Sequence, residues 1–406
     1  MATPSITMIP SGYKAEKVYS VLPTNGDGDL TFDRNTPATR VNKNGLIEQV
    51  GTDIPTLDYS DGSCPSLLSE RYSLNLAGYS EDFSQGWIKN NSTVTTNQTT
   101  SPRGDLTADK FIATATNQPR VERSFTIPTS NKTYTFSVFV KKISTPYVAI
   151  GLFNGSTNIG TIFNLDTKSV VSSDSESSSI KELSNGWFRI SMTQTVLSTD
   201  TFNYWKILNT NGSNAFVGVI GDETFIWGAQ LEEQRYATSY IPTTTGSASR
   251  GADSASKDGL SSYISSTEGV LYSEIADFSD DFFGAISLSD GSLLNRIYII
   301  YVNVSNIIQV KVDVGDVNQV VITQTLSDIT SNTKVAFKYK ANDFSLWING
   351  TEYIGTPVNG GGVPSGLNRL GFDYGVVGDR FNGKVKDLRV YNTALTDLEL
   401  QELTTI

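Results

Sequence analysis

The residue types that carry most enzyme chemistry are missing from this chain. Among 406 residues there is no histidine and one cysteine, Cys64. That removes Ser-His-Asp and Cys-His nucleophilic catalysis, histidine-ligated zinc and thiolate metal clusters. The G-x-x-x-x-G-K-[ST] phosphate cradle is absent as well. Carboxylates remain, and two of them flanking a sugar linkage could act as acid, base or nucleophile. Residues 259–406 contain no string of the Glu-x-Asp-x-x-Glu kind. Asp280 and Asp281 are adjacent, so a strand would point them to opposite faces. Asn25-Gly26-Asp27-Gly28-Asp29 has the oxygen-ligand spacing of a calcium loop. It lacks the glycine of the sixth position and the glutamate of the twelfth, where Leu30 and Thr36 stand. It reads as a turn-rich stretch. No catalytic residue, metal ligand or cofactor is assigned.

What the sequence does supply is side chains that grip. In Phe344–Asn349, alternation puts Phe344, Leu346 and Ile348 on one strand face and Ser345, Trp347 and Asn349 on the other. With the first set in the core, Trp347 faces outward, where an indole can stack on a sugar ring. The other reading is that it covers a neighbouring strand or an oligomer contact. Tyr204 and Trp205 are candidates for a groove. The expected ligand-binding set is therefore Trp347, Asn349, Tyr204 and Trp205, whereas Trp87, Trp187 and Trp227 are expected to fill a core.

The elements that must position these residues are strands. Hydrophobic residues make up 38% and charged residues 18% of the chain, enough apolar material for true cores. Tyr134, Phe136, Val138 and Val140 alternate with Thr135 and Ser137. Ile308, Val310, Val312 and Val314 alternate with Gln309, Lys311 and Asp313, and Val335, Phe337 and Tyr339 with Ala336 and Lys338. Asn-Gly pairs at 154–155, 185–186, 211–212, 349–350 and 382–383 mark tight turns. Only Asp397–Leu403 reads as helical. The predicted fold is all-β: two antiparallel β-sandwich (jelly-roll) domains behind an extended N-terminal arm. The arm spans 1–71, where Gly, Pro, Asp and Asn recur every few residues and leave too little apolar surface for an independent core; it is expected to carry a few short strands ordered by packing on other chains or on the next domain, the other reading being a small β-subdomain. The sandwiches span 72–245 and 259–406, joined by a Thr/Ser/Gly-rich linker at 246–258.

Net charge is −11, with an isoelectric point near 4.7. Nucleic acid and anionic membranes are disfavoured as partners. No apolar run reaches transmembrane length, and Met1–Gly12 has no secretory-signal pattern. An intrachain disulfide is excluded. Cys64 is expected to be a buried or inert thiol, with an interchain bridge as its other role.

Three groups of motifs carry family resemblances. Phe344–Gly350, Phe381–Leu395 and the closing Thr396–Leu403 resemble the concanavalin A-like, laminin-G-like jelly-roll family. Asn75-Leu76, Tyr79–Ser84, Asn185–Arg189 and Trp227–Glu232 running into Thr238–Thr243 resemble carbohydrate-binding-module jelly rolls of phage structural proteins. Phe32–Asn42 with Gly45–Glu48 is similar to stretches that precede such modules in phage virion proteins. The resemblance implies a non-enzymatic bacteriophage fibre or appendage protein, located on the virion. Its N-terminal arm would be held by other virion proteins, and its sandwiches would contact host surface glycans. Such proteins form homo-oligomers, and a trimer is expected; modules of this type often carry a structural calcium ion, which the sequence does not locate. The alternatives are a ligand-free capsid decoration or tail accessory protein, and a polysaccharide-degrading enzyme.

Overall fold

A computed structural model describes residues 2–279, 283–302, 306–376 and 380–406. Asp280 and Asp281 lie outside the described residues. The chain forms two compact units, both discontinuous in sequence. An inserted unit comprises Ala38–Gln49 and Ser73–Arg250; a flanking unit comprises Met1–Pro37, Val50–Tyr72 and Gly251–Ile406. The architecture is nearly all-β, built from antiparallel sheets as expected.

The inserted unit is a sandwich of two six-stranded sheets. One runs Ile88–Asn90, Arg120–Ser124, Tyr204–Asn209, Tyr147–Phe153, Asn158–Asn164, Ser169–Ser173. The other runs Ser92–Thr99, Ala108–Ala113, Glu223–Glu232, Lys132–Lys142, Trp187–Val196, Ser177–Glu182. Alternation sends Phe136, Val138, Val140, Val148, Ile150, Leu152, Trp205 and Ile207 between the sheets, where Trp87 joins them. Trp187 and Trp227 are buried as expected, but in a second cluster on the other side of their sheet, with Ile47, Ala108, Phe139 and Tyr240. At Asn185-Gly186 both residues have positive φ, 59° and 73°, the geometry that favours Asn-Gly in tight turns.

The sandwich is closed by a polar clamp. The buried Glu232 carboxylate accepts from Ser73 Oγ (2.5 Å), Thr238 Oγ1 (2.5 Å), Thr238 N (3.1 Å), Gln230 Nε2 (2.7 Å) and Gln234 Nε2 (2.8 Å). Asn75 donates to the carbonyls of Ala229 and Ile241 and accepts from the amides of Ala77 and Leu231. A buried carboxylate this fully hydrogen-bonded is structural. The Trp227–Thr243 string owes its residue types to that closure.

The flanking unit packs an eight-stranded sheet on a nine-stranded one. Leu271, Val335, Phe337, Leu346 and Val390 from the first meet Ile286, Ile297, Ile299, Ile308, Val310 and Val312 from the second. Residues 1–71 carry the short strands expected, packed on the rest of the chain, but they are not a separate arm, which corrects that part of the sequence expectation. Ile6–Met8 pairs with Leu388–Val390, Leu30–Asp33 with Ser254–Ser256, and Ser66–Ser69 with Gly383–Val385. Apolar pieces too short for a core of their own gain one by pairing with strands hundreds of residues away. The expected linker also belongs to folded structure: it carries the strands Ala248–Arg250 and Ser254–Lys257. Arg34 shows why the Phe32–Asn42 string is polar. Its guanidinium is fully buried, meets Asp253 at 3.1 Å, and donates to Thr56 Oγ1 and to the carbonyls of Thr36, Gly51 and Ile54. All five donors are thereby used. Cys64 is exposed, which removes the buried alternative of the buried or inert thiol expected.

The single helix among the described residues, Asp397–Thr404, starts at a capping box: Thr396 accepts from Glu399 N while the Glu399 carboxylate accepts from Thr396 N. It lays Leu400 and Leu403 on Val270, Tyr272, Ala336, Trp347 and Tyr391.

Candidate functional site

The strand Tyr204–Asn209 alternates with unusual chemistry. Trp205 and Ile207 enter the sandwich core, so Tyr204, Lys206 and Leu208 take the outer face of the sheet. Lys206 sits in the middle of that face, in register with Glu122 on one side and Gly151 on the other. Gly151 is in turn opposite Gly160. The space above this glycine pair is filled: a Cβ on Gly151 would come within 2.8 Å of the Ile159 carbonyl oxygen and 3.3 Å of Lys206 Cε, and one on Gly160 would strike the Phe216 ring at 2.6 Å.

Lys206 is 2% exposed. Its ammonium donates to Asn158 Oδ1 and lies 5.9 Å from the centre of the Phe153 ring. Burial, aided by the Arg120 charge and opposed by Glu122, pushes its pKa down to about 8. Glu122 is occupied elsewhere, accepting from Arg120 Nε at 2.7 Å and Asn90 Nδ2 at 2.6 Å. Beside Lys206 runs a ladder of rings. Phe153 stacks on Phe202 at 5.8 Å, and Phe202 meets Tyr204 edge-on at 5.1 Å. Phe202 is 42% exposed. The face thus offers apolar ring surface beside a desolvated cation and amide groups, a combination suited to holding a polyol by its C–H face and its hydroxyls.

The structure separates the expected site residues. Tyr204 is half-buried and belongs to this face. Trp205 does not: it fills the core and donates Nε1–H to Asn203 Oδ1 at 2.8 Å. Adjacent strand residues cannot share a face. Trp347 takes the outer side of its strand as expected, yet it is only 5% exposed because the C-terminal helix covers it. Asn349 is a turn residue with φ 49°, exchanging hydrogen bonds with the Lys334 backbone. Trp347, Asn349 and Trp205 are therefore structural. Lys206, Phe202, Phe153 and Glu122 share the face with Tyr204 and were not singled out by sequence reasoning. The available signal was a lysine in the middle of the apolar run Trp205–Leu208. The Asn25–Asp29 stretch is a hydrogen-bonded turn: Asp27 accepts from Tyr263 Oη at 2.7 Å, and Asp29 from Ser20 N at 2.9 Å. Among the described residues, no three His, Cys, Asp or Glu side chains gather as a metal site.

The outer face of the nine-stranded sheet in the flanking unit carries a second buried cation. Arg296 pairs with Asp313 at 2.6 Å, with side chains 5% and 3% exposed. Its guanidinium lies 4.2 Å from the Tyr374 ring centre and 5.0 Å from that of Tyr298. Tyr298 Oη donates to the same Asp313 oxygen at 3.1 Å.

Residues 274–401 match the family described as the concanavalin A-like lectin/glucanases superfamily, which covers a minority of the chain. A search of curated proteins found no match. Among solved structures, the CBM40 of a Ruminococcus gnavus IT-sialidase is similar over 35% of this chain and 85% of its own, at 14% identity and TM-score 0.31. Domains LG4-5 of the mouse laminin alpha1 chain cover 79% and 94%, at 10% identity and TM-score 0.25. The CBM22-1-CBM22-2 tandem of Paenibacillus barcinonensis Xyn10C covers 80% and 99%, at 10% identity and TM-score 0.28. Likenesses this remote carry no functional inference.

Proposed function

We propose that this chain is a glycan-binding protein that works without catalysis, and that the outer face bearing Phe153, Phe202, Tyr204 and Lys206 is its binding surface. The observation that carries this reading is the half-open ring ladder beside a lysine whose charge has been desolvated on the same face. The chain has no imidazole to activate a nucleophile, which fits gripping better than cutting.

The setting we propose is a bacteriophage fibre or appendage, with host surface glycan as the ligand. The motif resemblances support that setting. Attachment to other virion proteins would use the surfaces of the folded units, since residues 1–71 are built into them. Several copies, as in a trimer, would raise weak single-site affinity by multivalency.

A glycan array probed with the chain displayed at high valency tests the reading. Binding is expected, with a drop for Phe202→Ala and Tyr204→Ala. Uniform silence would favour a ligand-free decoration role. Release of reducing sugar from capsule or cell-wall polymer would establish an enzyme instead.

A further inference from the structure

We propose that two copies of this chain pair through the outer strand Val317–Thr325, antiparallel about a two-fold axis at Thr323, so that their nine-stranded sheets join edge to edge. This goes beyond the glycan-binding reading and does not rest on it; a pair of copies would supply multivalency as a trimer would.

Val317–Thr325 ends the nine-stranded sheet, paired on one side with Ile307–Val314. Its first part is covered. Val358 N donates to the Gln319 carbonyl at 2.7 Å and Asn359 Nδ2 to the Asn318 carbonyl at 2.8 Å, where the register also slips by a residue. Beyond that point the edge is open. Leu326 N donates to the Asn306 carbonyl at 2.8 Å, which sets the phase of the ladder. Val320, Ile322 and Gln324 turn their backbone groups to Ile307–Val314, and Val321, Thr323 and Thr325 turn theirs away. Among the described residues, no backbone group pairs with these three on the open side. Val320–Thr325 holds no charge, proline or glycine, the composition that recruits other strands. Other outer strands are guarded against such pairing. Thr56–Asp58, Ile88–Asn90 and Thr351–Ile354 are short, Ser177–Glu182 carries Lys181 and Glu182, and Ser92–Thr99 is broken by a register shift after Thr95.

A second copy fits this edge. With Thr323 on the axis, Thr323 meets its own copy and Val321 meets Thr325 of the partner subunit, pairs that exchange both N–H···O bonds. β-Branched side chains then face each other along the seam, a favourable cross-strand pairing. The register stops short of the covered residues 317–319. With no charge in either strand, the net charge of −11 on each copy is kept off the seam. Apolar surface flanks it: Val321 is 41% exposed, and Ile354, 78% exposed, precedes Gly355, where a Cβ would meet Val320 Cγ2 at 2.7 Å. The contact is isologous and closes on itself, which spends the edge instead of propagating it.

The test is sedimentation equilibrium of the full chain, with hydrogen exchange at the amides of Val321, Thr323 and Thr325. The wild type is expected to form a dimer in which these amides are protected. Thr323→Lys and Thr323→Glu each set like charges opposite one another across the axis. Each is expected to weaken the dimer by at least about tenfold and to release the amides. Mixing the two variants in equal amounts is expected to restore the dimer, because unlike charges then face each other; the restoration also shows that both variants are folded. A wild type that stays monomeric at about 100 µM overturns the inference and leaves the edge to a strand of another protein. A dimer that persists undiminished in both variants, or one whose edge amides exchange freely, overturns it as well. Loss of the dimer in both variants without recovery on mixing overturns the pairing about Thr323.

Discussion

Arg296 and Lys206 are both buried cations on outer sheet faces, and they are treated in opposite ways. Arg296 in the flanking unit has a carboxylate at 2.6 Å and a tyrosine ring at 4.2 Å. Lys206 in the inserted unit has one amide oxygen and a more distant ring. The first arrangement pairs its charge within the protein, although among the described residues Arg296 Nε and Asp313 Oδ1 keep no hydrogen-bond partner. The second leaves donors over, beside exposed aromatic surface. A sheet face in a β-sandwich can therefore be a second core or a docking surface, and the partners of its central charge tell which.

That contrast can be broken most forcefully at Asp313. Asp313→Ala strands the Arg296 charge and is expected to destabilise the flanking unit by about 3–5 kcal/mol, read by denaturant unfolding. Trp347→Ala opens a cavity beneath the C-terminal helix, with an expected loss of about 3–5 kcal/mol. It should leave glycan affinity unchanged, since Trp347 is core. An affinity loss without a stability loss would restore it as a ligand residue.

Lys206→Met should go the other way and stabilise the inserted unit at pH 7, by roughly 1–2 kcal/mol on the scale of a partly desolvated charge. The sign follows from linkage. The folded-state pKa, about 8, lies below the ordinary lysine value of 10.5, so between those values the unfolded chain binds more protons. Wild-type stability from this group then rises as pH climbs from about 8 to 10.5, and Lys206→Met removes that slope. A destabilised Lys206→Met would mean the ammonium is better satisfied than the geometry indicates. The smallest expected effect is that of Tyr204→Ala, a loss of about 1 kcal/mol in glycan binding, or roughly fivefold, with little change in unfolding.

Much of this fold was legible in the sequence because sheet periodicity is local. Phe344, Leu346 and Ile348 alternate into the core, and Trp347 takes the other side, as the pattern dictates. What the pattern does not carry is what lies on that other side. The helix at Asp397–Thr404 is readable from its leucines and its cap, but its docking on Trp347 is a tertiary fact fifty residues away in the chain. The N-terminal strands are a stronger case: Ile6 finds its partner at Val390, and no window of sequence contains both. The face proposed for binding fell between these limits. Tyr204 was found by its type. Lys206 was passed over because lysine is usually read as solvent-facing, although in the strand Tyr204–Asn209 it is among the buried positions.

The interleaved layout of the two units fixes an order of events during synthesis. The chain passes from one unit to the other at 37/38, 49/50, 72/73 and 250/251. Once Arg250 has left the ribosome, every strand of the inserted unit exists and its sandwich can close. The flanking unit at that moment has only its N-terminal strands, whose edges wait for Ser254–Lys257 and Gly383–Tyr391. Its sheets can be completed only once Gly383–Tyr391 has been made. A chain cut short after the inserted unit would thus carry one finished sandwich and a set of unclaimed strand edges, the kind of surface that recruits other copies.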